Sequence, residues 1–434
     1  MKSQHVCVVG SGYVGLVTGT CLAEIGHHVI CIDNDPAKYE ALKNGRIPIY
    51  EPGLDRLVKK NVARKRLSFG QWISEGLKEA SIVFIAVGTP PQPDGSADLT
   101  YIESVSREIA EHMKAYTVVV EKSTVPVETG EQIEHTITRY KRKDVPFDMV
   151  SNPEFLREGT AIEDFLHPDR IVLGVKSKRA EKIMRDLYAP LKAKRILVTD
   201  LKSAEIIKHA SNSFLATKIS FINSVSRICE LVGADATQVA EGMGLDPRIG
   251  ASFLHPGIGF GGFCFPKDLE AFHYISKKLG YDFDLLAVVK EVNEGQRIHF
   301  VKKIEKALWV LKGKTIAVLG VAFKPHTDDV RFAPALDIID RLQSQGARVQ
   351  IFDPIALEKA APHLKNVTVC ENAYDAVKGA DCLALLTEWP EFKRLNYKRI
   401  KNLMTTPLIM DGRNCLDPAQ MKKLGFDYQG MGRS

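Results

Sequence analysis

Hydrophobic positions along the chain follow two different regimes. In the first third, short unbroken apolar runs end in glycine, proline or polar residues: HVCVVG (5–10), SIVFIAVGTP (81–90), TVVVEKSTVP (117–126) and FDMVSNPEF (147–155). Such runs predict strands buried on both faces. Tyr13 to Ile25 reads as a helix and HHVICID (27–33) as the next strand. Strands alternating with helical stretches predict a parallel sheet with helices on both sides. From about Asp200 to Gly233 the period changes. Ile206, Ile207, Ala210, Phe214, Leu215, Ile219, Ile222, Val225 and Leu231 recur mostly at steps of three and four, which predicts one long amphipathic helix. A second helical stretch covers Leu285 to Leu311. The two read as a helical connector and a candidate dimer interface. Then the first regime returns: GKTIAVLGVAFKP (313–325) as strand and loop, ALDIIDRLQSQGA (335–347) as helix, and RVQIFDP (348–354), DCLALLTEW (381–389) and PLIMDGR (407–413) as strands. The expected fold is α/β: two doubly wound, Rossmann-like halves (1–199 and 312–434) joined by a helical middle (200–311), with a degenerate glycine loop in the second half.

Composition narrows the class. The 434 residues are 45% hydrophobic and 26% charged, ordinary for a soluble chain with large cores. A net charge of +6, with local basic runs only at Lys59–Arg66 and Lys141–Lys143, argues against a nucleic-acid binder and suits anionic small molecules such as nucleotide diphosphates. Cysteines at 7, 21, 31, 229, 264, 370, 382 and 415 form no CxxC pair and no zinc-ligand spacing, so no metal is expected. Cys7, Cys31, Cys370 and Cys382 lie in apolar runs and read as core thiols in a reducing compartment. Glycines interrupt the apolar N-terminal stretch, which is therefore not read as a signal peptide, and no apolar segment is long enough to span a bilayer. A cytoplasmic location is expected.

Chemistry enters with GSGYVG. Gly10, Gly12 and Gly15 follow a strand and open a helix: the first makes the turn, the second lets a diphosphate approach backbone N–H groups, and the third lets helix and strand pack closely. Asp33 ends the next strand 23 residues after Gly10, near the spacing of a carboxylate that holds a ribose 2′-hydroxyl and repels a 2′-phosphate, so NAD is the expected cofactor. Lys38 either reaches a phosphate or the adenosine, or is an ordinary surface lysine. Thr89 of VGTP and Thr124 of STVP either line the cofactor crevice or close turns before proline. Glu154 and Glu158 share a face if a helical turn begins at SNPEFLREG, either to order a water or hydroxyl or as a helix N-terminal charge pair. Lys208 and Asn212, four apart on the long helix, are either an edge lysine with its neighbour or a cation and amide aimed at an oxyanion. In GIGFGGFCFPKD (257–268) the bare glycine loop would let backbone wrap a sugar and present Cys264, with Lys267 favouring its thiolate and Asp268 as base or water orienter. The bland reading is a linker with an incidental cysteine. A nicotinamide site combined with a thiol has a specific use. A primary alcohol loses a hydride to become an aldehyde, the thiol traps it as a thiohemiacetal, a second hydride loss gives a thioester, and water releases the acid.

GSGYVGL, VGTP, STVPV, SNPEFLREG, the Lys208/Asn212 helix, GFGGFCFPKD and AFKPHTDDVR together resemble the UDP-glucose 6-dehydrogenase family, from near residue 5 to about Arg413. The resemblance implies a cytoplasmic enzyme that oxidises UDP-glucose to UDP-glucuronate with two NAD. It places the cofactor on the N-terminal half, UDP on the C-terminal half, and a homodimer through the central helix. It implies Cys264 as nucleophile, Lys208 and Asn212 at the oxyanion, Asp268 in hydrolysis, and Thr124 and Glu154 on a catalytic water. Around the cofactor it implies Gly10, Gly12, Tyr13, Val14, Gly15, Asp33, Lys38, Thr89, Thr124, Glu158, Lys267 and Arg331. Around the sugar nucleotide it implies Glu154, Phe155, Leu156, Glu158, Lys208, Asn212, the loop Phe253–Leu254–Gly257, Gly261, Phe265, Lys324 and Arg413, with Arg248 reaching the partner subunit's substrate. Glu128 stands where the family has glycine after STVPV, Phe263 where it has serine before the cysteine, FDP (352–354) for YDP, and FINSVSR for FINE. GDP-mannose or a UDP-N-acetylhexosamine is the rival substrate. A single-step hydroxyacid dehydrogenase and a nucleotide-binding scaffold without turnover are the rival classes.

Overall fold

The computed structural model describes residues 3–191 and 193–433. The chain forms two compact units, Met1–Ser211 with Glu270–Gly280, and Asn212–Leu269 with Tyr281–Ser434.

The first unit is built on β1 (His5–Val9), β2 (His28–Ile32), β3 (Leu67–Gly70), β4 (Ile82–Ile85), β5 (Thr117–Glu121), β6 (Phe147–Ser151), β7 (Ile171–Val175) and β8 (Ile196–Thr199), in the order β3-β2-β1-β4-β5-β6-β7-β8. Every pairing is parallel except β6 with β7. The apolar runs have a direct cause. Alternate residues of one strand enter different cores: Val6, Val8, Ile82, Phe84, Val118 and Val120 pack with Leu16, Val17 and Cys21, while Cys7, Val9, Val83, Ile85 and Val119 pack with Ile102, Ile109, Ile133 and Ile137. The helix Tyr13–Glu24, predicted to within a residue, lies in the first of these layers.

The second unit carries β9 (Thr315–Leu319), β10 (Arg348–Phe352), β11 (Val367–Val369), β12 (Cys382–Leu385), β13 (Leu408–Asp411) and β14 (Asp427–Gly430), all parallel, in the order β11-β10-β9-β12-β13-β14. Its central segment is fastened by buried and half-buried polar contacts. Asn223 Oδ1 accepts from the Gly257 N–H (2.9 Å), Arg227 Nε donates to Gln296 (3.0 Å), and Glu230 takes His299 (2.6 Å), Lys303 (2.5 Å) and the Gly432 N–H (2.9 Å). The degenerate second glycine loop is closed by its own acid. Asp353, just after β10, accepts from the Val321 (2.8 Å) and Ala322 (3.1 Å) N–H groups and from Trp389 Nε1 (3.1 Å).

Two helices cross the division between the units in sequence. Leu201–Val232 runs for 32 residues, and Cys264–Lys278 for 15. One expectation changes here. Cys264 does not hang from a loop; it opens a helix. On the side where a Cβ would stand, the glycines before it are packed by protein. A Cβ on Gly257 would meet the Gly412 carbonyl at 2.9 Å, one on Gly261 the Phe332 carbonyl at 2.4 Å, and one on Gly262 the Phe323 ring at 2.7 Å.

Candidate functional site

In the first unit the glycine loop divides labour as its spacing predicts. Gly10 has φ +97°, and a Cβ there would sit 2.6 Å from the Ala86 carbonyl. A Cβ on Gly15 would collide with the Gly10 carbonyl. A Cβ on Gly12 would meet nothing within 4 Å, and Gly12 caps the Tyr13–Glu24 helix without any side-chain hydrogen bond. The middle position is therefore open, and the first-turn N–H groups, Tyr13 and Val14 among them, have no side-chain cap. This is a fit for a diphosphate. Asp33 Oδ2 accepts from the Ser11 N–H (2.8 Å) and hydroxyl (2.7 Å), and Lys38 Nζ lies 3.7 Å away with its side chain half exposed. The carboxylate thus braces the glycine loop. Thr89 Oγ1 donates to the Thr124 carbonyl (2.9 Å), tying the ends of β4 and β5 together.

The acids of SNPEFLREG are not on a helical face. Residues 152–157 are irregular: Pro153 breaks the pattern, and Glu154 Oε2 accepts from the Leu156 N–H at 2.6 Å. Glu154 instead turns inward and meets Lys208 Nζ at 2.8 Å, both side chains about 95% buried. Lys208 is thus no edge lysine; it shares a buried ion pair and lies 5.5 Å from the centre of the Phe155 ring, which Arg170 also covers at 3.8 Å. Glu158, half buried, stands beside Gly159, whose N–H donates to Glu51 (2.6 Å).

In the second unit Cys264 is exposed, the one cysteine of eight that is; six are buried and Cys415 is intermediate. Burial pushes the Cys7, Cys21 and Cys382 thiols far up and Cys31 to about 12, so these are poor nucleophiles. The start of a helix is a place that favours negative charge. One turn on, Asp268 is 1% exposed. Its Oδ1 meets Lys267 Nζ at 2.9 Å, and its Oδ2 accepts from Asn212 Nδ2 at 2.6 Å. Lys267 therefore engages Asp268 as well as the Phe263 ring (5.6 Å), whose other cation is Arg331 (4.3 Å), itself doubly hydrogen-bonded to Asp329. Phe253, left-handed at φ +66°, packs on Phe265 (6.0 Å). Arg413 donates to the carbonyls of Gly259 (3.0 Å), Leu386 (2.8 Å) and Phe323 (3.0 Å), and Lys324 stands 5.5 Å from the Phe323 ring. Two candidates stand apart. The Leu254 side chain is in a core cluster with Ile222 and Ala240, and Arg248 is surface-exposed on Asp246.

Sequence reasoning missed Glu51, Lys122 and Asn152. Glu51 joins Tyr13, Gly159 and Ala161, and its partners lie up to 110 residues away, beyond any local pattern. Lys122 interrupts an apolar strand end, the kind of break that marks a buried charge.

An open dinucleotide loop at the head of one doubly wound sheet, and an exposed thiol beside a braced carboxylate on a unit with a second, define an NAD-dependent dehydrogenase. Residues 4–192 match the NAD binding domain of the UDP-glucose/GDP-mannose dehydrogenase family, 202–295 its central domain and 317–418 its UDP binding domain. The chain belongs to that family. It is 49% identical over 431 residues to a UDP-glucose 6-dehydrogenase of Bacillus subtilis, covering 99% of this chain and 93% of that protein. It is 45% identical over 436 residues to a UDP-glucose 6-dehydrogenase of Rhizobium meliloti (99% and 100%). The solved UDP-glucose dehydrogenase of Pyrobaculum islandicum matches with a TM-score of 0.93 at 38% identity, covering 100% of this chain and 98% of that one.

Proposed function

We propose that the protein oxidises the C6 alcohol of UDP-glucose to the acid, consuming two NAD and one water and releasing UDP-glucuronate and two NADH. The observation that carries this reading is Cys264: an exposed thiol at a helix start, one turn from an aspartate that Lys267 and Asn212 hold in place. NAD, when bound, accepts hydride. The chain's own residues supply the rest. Glu154, paired with Lys208, orders the water or hydroxyl that takes up the alcohol proton. The Cys264 thiolate adds to the aldehyde carbon, and Lys208 and Asn212 stabilise the alkoxide. After the second hydride leaves, a water steered by Asp268 attacks the thioester carbon. The C–S bond breaks, the sulfur leaves as thiolate, and the acid is freed. An enzyme that stopped at the aldehyde would need no thiol.

Support for UDP-glucose over other nucleotide sugars comes from relatives carrying that name at 42–49% identity over 99% of the chain. We further infer three functional segments, 1–199, 200–311 and 312–434, supported by the family matches at 4–192, 202–295 and 317–418. A homodimer is supported by Phe214, Phe221 and Ile228, spaced by seven on the long helix and 64%, 54% and 60% exposed. A reducing, cytoplasmic setting is supported by the buried single thiols of Cys7, Cys21, Cys31, Cys229, Cys370 and Cys382; among the described residues no helix is long and apolar enough to cross a membrane. The test is Cys264→Ser under saturating UDP-glucose and NAD. Turnover to the acid falls at least a thousandfold while NAD binding is retained; near-normal turnover makes the thiol structural and overturns the reading.

A further inference from the structure

Lys122 follows directly on β5, two residues before Thr124, and only 6% of its surface is exposed. A buried ammonium is costly unless it is partnered. Its Nζ donates to Asn152 Oδ1 at 3.2 Å. That same oxygen accepts from the Tyr188 hydroxyl (2.6 Å), and Asn152 Nδ2 donates to the Val172 carbonyl (2.8 Å), so the amide is locked from three directions. Asn152 stands two residues before Glu154, at the start of the irregular segment that carries the Glu154–Lys208 pair. The titratable groups facing Lys122 are Glu121 beside it, Glu154 in the segment after β6, Tyr188 at the end of the helix Lys178–Tyr188, and Lys208 on the long helix. Two carboxylates and two ammonium groups thus share one buried region and balance in charge.

We propose that Lys122 is a positioning residue for the oxidation: through Asn152 it fixes the segment that bears Glu154, and its charge completes a neutral set with Glu121, Glu154 and Lys208. This rests on the reading of Glu154 and Lys208 given above. Burial draws the Lys122 ammonium down to about 8, against the opposing pull of Glu154 and Glu121, so it remains mostly charged at neutral pH. Without it, the buried set holds one more negative than positive charge, which favours proton uptake by the set as a whole.

The experiment compares steady-state NADH formation from UDP-glucose by the intact enzyme, as a function of pH, for wild type, Lys122→Met and Lys122→Arg, with thermal melts alongside. Lys122→Met is expected to lower kcat at pH 7 at least tenfold, leave KM for NAD within threefold, and move the acid limb of kcat/KM to higher pH by about one unit. Lys122→Arg, which keeps the charge, is expected to restore the limb. A Lys122→Met profile with the wild-type shape, or a Lys122→Arg profile no different from it, overturns the proposal. Should Lys122→Met not fold, Lys122→Gln, which keeps a donor for Asn152 without charge, is read in the same way. Normal wild-type turnover with an unshifted variant sinks this inference alone; no NADH from wild type sinks the underlying reading with it.

Discussion

At the residue scale, Glu128 shows what one departure does. It holds φ +77°, a left-handed conformation that glycine adopts freely and other L-residues adopt at about 1–2 kcal/mol. The strain is offset locally: its N–H donates to Glu205 at 2.7 Å and its carboxylate reaches Lys202 at 3.1 Å, a surface pair of small worth. Glu128→Gly should therefore keep the backbone bond and relieve the strain, raising unfolding stability by about 0.5–1 kcal/mol after the entropy of the freer unfolded chain is counted. Urea denaturation checks this, and a drop in stability would show that the ion pair outweighs the strain. Residues whose chemistry dictates local spacing were legible in the sequence: Gly10 makes the tight turn and Gly15 the close helix–strand packing that their positions demand. Glu51 and Asn152 were not, because their partners are distant in sequence. The glycines before Cys264 were legible as a motif, but the packing of Phe323 and Phe332 against them was not.

At the scale of elements, the Leu201–Val232 helix braces another helix through one carboxylate. Glu205 accepts from the Glu128 and Gly130 N–H groups (both 2.7 Å) at the start of Thr129–Tyr140. Burial pushes its pKa up from 4.5 to about 7, against the lowering effect of those two N–H groups. A folded-state pKa above the unfolded value means that its contribution is fully present below about pH 4.5 and is lost as pH rises through 7. The loss is on the order of 3 kcal/mol. Glu205→Gln cannot ionise, so its stability relative to wild type should improve between pH 5 and pH 8 in paired unfolding curves; an equal difference at both pH values would contradict the assignment. Long elements were readable because many residues repeat one period, as in Tyr13–Glu24 and Leu201–Val232. The sheet edges escaped: β3 (LSFG), β11 (VTV) and β14 (DYQG) are too short and too polar for periodicity to show. The helical option that spacing left open for 152–157 fails because i,i+4 spacing fits a helix only where the backbone allows one, and Pro153 and the Glu154–Leu156 bond do not.

At the scale of the molecule, the two sheets repeat an architecture but not a function. In the first half Asp33 braces the loop and leaves Gly12 open; in the second, Asp353 takes up the N–H groups of Val321 and Ala322. That difference explains why the glycine loop of the first half is the one suited to a dinucleotide. The exposed apolar row on the long helix belongs to this scale as well. Replacing Phe214 and Phe221 together with Asp should shift the particle from twice the chain mass of 48.2 kDa to once that mass in light scattering. An unchanged mass would move the interface elsewhere. The central claim, that Cys264 lets one site oxidise one carbon twice, is tested most directly by stoichiometry. NADH absorbance is recorded against UDP-glucose consumed, with limiting sugar and excess NAD. The account predicts two NADH for each UDP-glucose; a ratio of one, with aldehyde released, would contradict it.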